Sequence, residues 1–295
     1  MRDDLFDVAW QKYDGNPVLG GSMGTCFDIC VLPDEGGYRM WLSWRPKRSI
    51  AHSFSADGLH WSEPVEVLGP ELATGWEDDI NRPSVIRCGN VYHMWYTGQA
   101  GGASRIGYAT STDGLAWVRG RAPAVEPDRA WEKVAVMCPD CCWNAKKGLF
   151  RMWYSGGEQY EPDAIGYAES EDGIVWRKPF PDPVFSSDAA LEWEAAKVTA
   201  CQVIPTDDWH YMLYIGFRDV HNAAIGVARS RDGIGGWQRF AGNPVISPTP
   251  GAWDGDAVYK PFAVFDGSRW LLWYNGRREH VEQIGVAIGQ ANINL

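Results

Sequence analysis

Apolar and polar positions alternate in short runs through Leu149–Trp176, LFRMWYSGGEQYEPDAIGYAESEDGIVW, and no helical period of useful length appears there or elsewhere. Phe150–Tyr154 is rich in aromatic and apolar side chains suited to a pleated, half-buried surface, which predicts a strand. A glycine-rich loop over Ser155–Asp163 turns the chain back, and Ala164–Ser170 predicts a second strand. Glu171-Asp172-Gly173 then predicts a tight turn, Gly173 taking a positive φ at little steric cost. A short third strand ends in Trp176.

The pattern recurs over Tyr38–Trp61, Tyr92–Trp117 and His210–Trp237, and over Trp270–Gly289, which stops before its Asp-Gly turn and its tryptophan. Each copy follows an apolar inner strand, at residues 25–32, 81–86, 137–143, 199–204 and 259–265. A period of roughly 50–60 residues with four strands per unit is the signature of a β-propeller. Five copies predict an all-β, five-bladed β-propeller with four antiparallel strands per blade, forming one domain over residues 1–295. The piece missing from the last copy lies at the other chain end, where Trp10 is followed by QKYDGNPVL as Trp237 is by QRFAGNPVI. Val8–Tyr13 is therefore expected to lie beside Gln283–Gly289, closing the ring with the N-terminal strand and removing an open sheet edge.

Composition narrows the partners. The formal charge of −11 with no basic run argues against nucleic acid and anionic membranes. No apolar segment is long enough to span a bilayer. The start, MRDDLFDVAWQ, lacks the basic and apolar regions of a signal peptide, and an odd seven cysteines fit a reducing compartment, so a cytoplasmic location is expected. Strand alternation puts Cys141 and Cys142 of the CPDCC run on opposite faces, as packing residues and not as the paired ligands of a zinc site, and no metal or cofactor is expected. The 17 tryptophans and 12 tyrosines fall mostly at repeat positions and read as packing between blades.

In an up-and-down blade the inner strand starts on the face where the second strand ends, so chemistry is sought there. The aspartates of the opposite turns, Asp57, Asp113, Asp172 and Asp232, occur at one position in four blades and read as turn holders. Aligning the inner strands on Pro83, Pro139 and Pro261 puts Phe27 and Cys201 in the proline row. Cys26, Arg82, Cys138, Ala200 and Lys260 then precede that row, and Asp28, Ser84, Asp140, Gln202 and Phe262 follow it. Residues two apart share a strand face, so Arg82 and Lys260 are expected to face Asp28 and Asp140, either in a ligand site or in a structural ion-pair belt. Asp78, Asp79 and Asp256 break the repeat above these rows, where the matching slots include Val134, Ala135, Ala196 and Lys197. The loops after the second strands add Glu158, Arg218, Asp219, Arg277 and Arg278, with Trp44 as a platform for a sugar ring. Guanidinium groups suit planar or anionic ligands through their paired donors.

The blade motif MWYTG…IGYATSTDGLAW resembles the five-bladed propeller glycosidases of glycoside hydrolase families 32, 43, 62, 68 and 130, most of all family 43- and 130-like proteins, over essentially the whole chain. That resemblance implies a glycoside hydrolase or phosphorylase acting on an oligosaccharide or glycoside in the central funnel, with phosphate as a second ligand in the phosphorylase case. A non-catalytic carbohydrate-binding propeller is the alternative. The family pattern places aspartates just before the inner-strand proline, whereas this chain has Arg82, Cys138 and Lys260. MCPD (137–140) is similar to the invertase-type ECPD motif, with Met137 in place of the acid/base glutamate. The family carboxylates therefore do not carry over, and the acids available are Asp79, Asp140, Glu158 and Asp28. Asp79 and Asp140 are expected to form the acid pair with Glu158 as proton donor, while Arg82, Lys260, Trp44, Arg218, Arg277 and Asp256 bind substrate. A wide funnel favours inversion, which goes with carboxyl groups about 6.5–9.5 Å apart, as against about 5–5.5 Å for retention.

Overall fold

The structure, a computed structural model, describes residues 4–159 and 162–291. Tyr160 and Glu161, in the loop expected over Ser155–Asp163, lie outside the described residues. The fold is all-β, built from antiparallel sheets whose strands follow the sequence repeat. Cys26–Asp34, Gly37–Trp44, Ser49–Ser55 and Val65–Leu68 form the first unit in that order. Asp79–Cys88, Val91–Ala100, Ala103–Ser111 and Val118–Arg119 form the second. Ala135–Asn144, Leu149–Gly157 and Pro162–Ser170 form the third, joined to the second by one parallel pair, Ala135 with Ser104. Lys197–Pro205, His210–Phe217, Ala223–Ser230 and Gln238–Arg239 form the fourth. The fifth sheet section holds Ala257–Phe265, Trp270–Arg278 and Val281–Ala291, and its outer strand is Val8–Lys12, with Trp10 opposite Gly289.

One side-chain arrangement repeats between neighbouring units. The indole N–H of Trp41 donates to Gly114 O (2.9 Å), that of Trp95 to Gly173 O (2.8 Å), and that of Trp153 to Gly233 O (2.8 Å). Trp273 does the same to Gly58 O (2.8 Å), linking the last unit to the first. Each of these glycines has φ between 74° and 78°, and a Cβ at Gly58 would stand 2.9 Å from the Trp273 ring. The turn therefore needs glycine for both conformation and space. The preceding aspartates act as the repeat implies: Asp113 Oδ1 accepts from the N–H groups of Leu115 and Ala116, both at 2.8 Å.

A second arrangement ties each unit's outer strand to its core. The acid after each repeat tryptophan is fully buried and takes a tyrosine O–H and a cation. Glu132 accepts from Tyr154 (2.6 Å) and Lys178 (2.8 Å), and Glu194 from Tyr214 and Arg239 (2.6 Å). Glu77 pairs with Tyr96 and Arg119 (2.7 Å), and Asp254 with Tyr274 (3.2 Å) and Lys12. In the first unit all three partners are replaced together: it lacks the Trp-acid pair, Leu42 stands for the tyrosine and Glu63 for the cation.

The inner strands correct one expected register. All five carry a bulge with a left-handed residue: Asp28 (φ 47°), Arg82 (56°), Cys138 (52°), Ala200 (35°) and Lys260 (48°). Asp28 thus shares the row of Arg82, two positions from where proline alignment put it, and Ile29 takes the proline slot. The first strand has no proline to mark the bulge. Four of the bulged N–H groups donate to a polar side chain of the preceding unit: Asp28 to Asn275, Arg82 to Ser43, Cys138 to Thr97 and Ala200 to Ser155, at 2.7–3.1 Å. Cys141 and Cys142 pack into different apolar clusters, as alternation predicts.

Candidate active site

Where the inner strands begin, Asp28, Arg82 and Arg277 line a cavity of about 220 Å³ together with Tyr259, Glu282 and Lys197. Asp28 is buried on its bulge, and its carboxylate is fixed by Arg82 Nε at 3.0 Å and Asn275 Nδ2 at 2.9 Å. Both oxygens keep a free lone pair for a further donor. Arg82 is itself oriented by the Asn81 side chain (2.5 Å), which Asp79 holds in turn at 2.8 Å.

Glu282 enters from the start of the strand Val281–Ala291, directly opposite Arg277. Burial pushes its carboxyl above the usual range, and the charge of Asp28 adds to this. Tyr259, Arg45 and Arg82 pull the other way without cancelling it. Glu282 Oε2 and the buried Tyr259 hydroxyl make no hydrogen bond of ordinary geometry, yet each is close enough to the other to shift its titration as a hydrogen-bonding neighbour, and Arg45 is no nearer to Glu282 than 3.9 Å. This loosely bonded pair leaves capacity for a further polar group in the cavity. The same cavity thus holds two carboxyl groups in contrasting surroundings, the arrangement that separates an acid from a base.

The other expected residues lie elsewhere. Asp140 lines a different cavity, of about 290 Å³, with Cys30, Ser84, Gln202 and Phe262. Burial pushes it up to about 7 against the opposing charge of Lys260 and the Val203 N–H at 2.8 Å. Lys260 is buried on its bulge beside Cys138 and Asp140. Asp79 sits five positions before Ser84 on its strand, on the order of 15 Å at about 3.3 Å per residue, so it does not meet Asp140. Glu158 is exposed, 3.5 Å from Lys133. Trp44 is half-buried, its N–H on Met23 O at 2.9 Å. Arg218 is exposed and pairs with Asp219 at 3.3 Å. Asp256 is exposed, accepts the Glu279 N–H at 2.8 Å, and meets Arg277 in a separate cavity with His221 and His280.

Glu282, Tyr259, Arg45 and Lys197 were not among the residues chosen from sequence. Comparing repeat slots at third-strand starts would have found Glu282, because Ser104 and Ala223 hold the equivalent positions.

No family model matches the chain. An uncharacterized protein of Mycobacterium tuberculosis is 33% identical over 182 residues, 56% of this chain and 58% of that one. The chain therefore spans little more than half the length of the curated relatives it matches first. A thermostable family-43 glycoside hydrolase superposes with a TM-score of 0.75 at 22% identity, covering 92% of this chain and 91% of that one. A structure reported for the GH130 family of mannoside phosphorylases, said to contain hydrolases of β-1,2-mannosidic linkages, superposes at 0.79 with 16% identity, covering 98% and 95%. The chain has the fold of these glycosidases, the superfamily its repeat resembles.

Proposed function

We propose that the protein is a glycoside-processing enzyme, a hydrolase or phosphorylase, whose site is the cavity of Asp28 and Glu282. Its frame is one five-bladed propeller domain, closed by the N-terminal strand. The pairing of Val8–Lys12 with Val281–Ala291 and the Lys12–Asp254 contact support that closure. Glycoside cleavage needs one group to protonate the leaving oxygen and a second carboxylate to activate water or attack. Glu282 suits the first role, because burial raises its carboxyl inside the cavity. Asp28 suits the second as the base of an inverting reaction, rigidly held and open to one more donor. Tyr259 would bond a substrate oxygen between them. Asp79 acts through Asn81 to position Arg82, and Asp140 serves the fold at the other cavity.

The raised carboxyl of Glu282, sharing one cavity with Tyr259 and the ion-paired Asp28, carries this reading. A panel of nitrophenyl glycosides and oligosaccharides, run with and without phosphate, tests it. Release of sugar with inverted anomeric configuration is expected. Binding without turnover across the panel would instead favour a carbohydrate-binding propeller.

A further inference from the structure

Arg277 lines two cavities at once, that of Asp28 and Glu282 and a second of about 340 Å³ with His221, Asn222, Asp256 and His280. The first alone, about 220 Å³, is smaller than the roughly 300–1,000 Å³ usual for a small-molecule site, and the two joined fall within that range. Polar side chains furnish the second cavity. Asp256 uses one carboxylate oxygen on the Glu279 N–H at 2.8 Å, and Arg277 one N–H on the His221 carbonyl at 3.2 Å. A carboxylate and a guanidinium each have more acceptors or donors than these bonds occupy.

His280 reaches that cavity at a conformational cost. Trp270–Arg278 and Val281–Ala291 are joined by a two-residue hairpin, Arg278 pairing with Val281 around Glu279 (φ 50°) and His280 (φ 70°). Left-handed backbone is unfavourable for a residue with a Cβ, and such turns favour glycine or asparagine. The corresponding hairpin of unit two obeys that preference, with Ala100 pairing Ala103 around Gly101 (φ 57°) and Gly102 (φ 80°). The same turn is thus built from glycine in unit two and from two larger residues beside the cavity, where Asp256 holds it through the Glu279 N–H. Strain kept where an easier pair of residues would fold points to a role for the side chain it displays.

Resting on the glycosidase reading above, we infer that the second cavity binds the leaving-group sugar of an oligosaccharide, its hydroxyls bonded by His280, Asp256 and Arg277. Glu282 stands directly opposite Arg277 in the strand ladder, so the proton donor lies at the junction that the bond between two rings would cross. Calorimetric titration of gluco-, manno-, xylo- and arabino-configured disaccharides against the matching monosaccharides tests it without requiring turnover. At least one disaccharide is expected to bind about tenfold or more tightly than its monosaccharide. The double variant Glu279→Gly, His280→Gly copies the turn of unit two. It should melt no lower than the parent, yet bind that disaccharide about tenfold more weakly. Arg277→Gln, outside the turn, should weaken binding likewise and decides the matter if the glycine variant does not fold. Equal affinity for disaccharide and monosaccharide in the parent, no sugar binding, or a preference that survives the glycine variant overturns the inference. Affinity for inorganic phosphate that falls in the variants, with no disaccharide preference in the parent, also overturns it. Cleavage of nitrophenyl glycosides without a disaccharide preference would keep the glycosidase reading and reject this subsite. A preference lost in the variants, with no cleavage by the parent, would keep the subsite and reject the glycosidase reading.

Discussion

Lys12 Nζ stands 2.5 Å from the buried carboxylate of Asp254, 242 positions away in sequence, and fills the place that Arg119, Lys178 and Arg239 take in units two to four. The N-terminal strand is thus bound to the last unit by charge as well as by its backbone ladder. Lys12→Met leaves a fully buried acid without its countercharge. Because Lys12 itself is partly exposed, the cost is expected near the low end of the range for breaking a buried pair, about 3 kcal/mol in urea unfolding. Deleting residues 1–14 should also bare the edge of Val281–Ala291 and promote aggregation. Unchanged stability and a monomeric deletion variant would argue against the closure.

Trp176 is expected to hold units two and three together. Its ring meets Trp95 edge-on at 5.7 Å, and its N–H reaches Gly173 O at 3.0 Å. Full burial would set the loss on truncation at about 3–5 kcal/mol; since the ring is half-buried, Trp176→Ala should cost roughly 2–4 kcal/mol. Trp117, on Trp41 at 6.3 Å, should behave alike. Sugar binding lost at unchanged stability would show that these rings belong to a site instead.

Asp140 makes stability depend on pH. Its folded value of about 7 lies above the ordinary 3.8, so the folded chain keeps a proton that the unfolded chain has released. Stability from this group is complete below about pH 4 and is lost as pH rises through 7. The loss is on the order of 4 kcal/mol at 1.36 kcal/mol per pKa unit. Asp140→Asn can keep the bond from Val203 N–H and should flatten that slope in denaturant titrations at several pH values. An identical slope in both proteins would mean that Asp140 is ionised in the fold throughout.

The repeat was legible because turn and packing chemistry recur at fixed spacing: the Asp-Gly turns, the inner tryptophans and the Trp-acid pairs each mark a position in several units. Asp28 was legible as a charged residue facing Arg82 and lines the proposed cavity, but its register was not legible, since the first inner strand lacks the proline that marks the bulge in three others. Arg82 was likewise legible, and its partner proved to be Asp28 at 3.0 Å. Glu282 escaped because it lies at the start of a third strand, and with Glu279 in RREHVEQIG it looks like one more surface acid. What distinguishes it is burial beside Tyr259 and Arg45, which depends on how the fifth and first units meet. Asp140 shows the converse: a motif-like setting in MCPD gave it prominence, while the bulge directs it to another cavity.

The most direct measurement is kcat/KM of Glu282→Gln and Asp28→Asn against the best substrate from the glycoside panel, followed across pH. Both variants should fold, Asp28→Asn with a lowered melting point because Arg82 loses its countercharge. Both should lose about 10²–10⁴-fold in rate, the scale of positioned acid–base catalysis. The parent should lose activity as pH rises through the raised range of Glu282, and Glu282→Gln should lack that basic limb. Full activity in either variant, or a basic limb that survives Glu282→Gln, would contradict the assignment of this cavity as the catalytic centre.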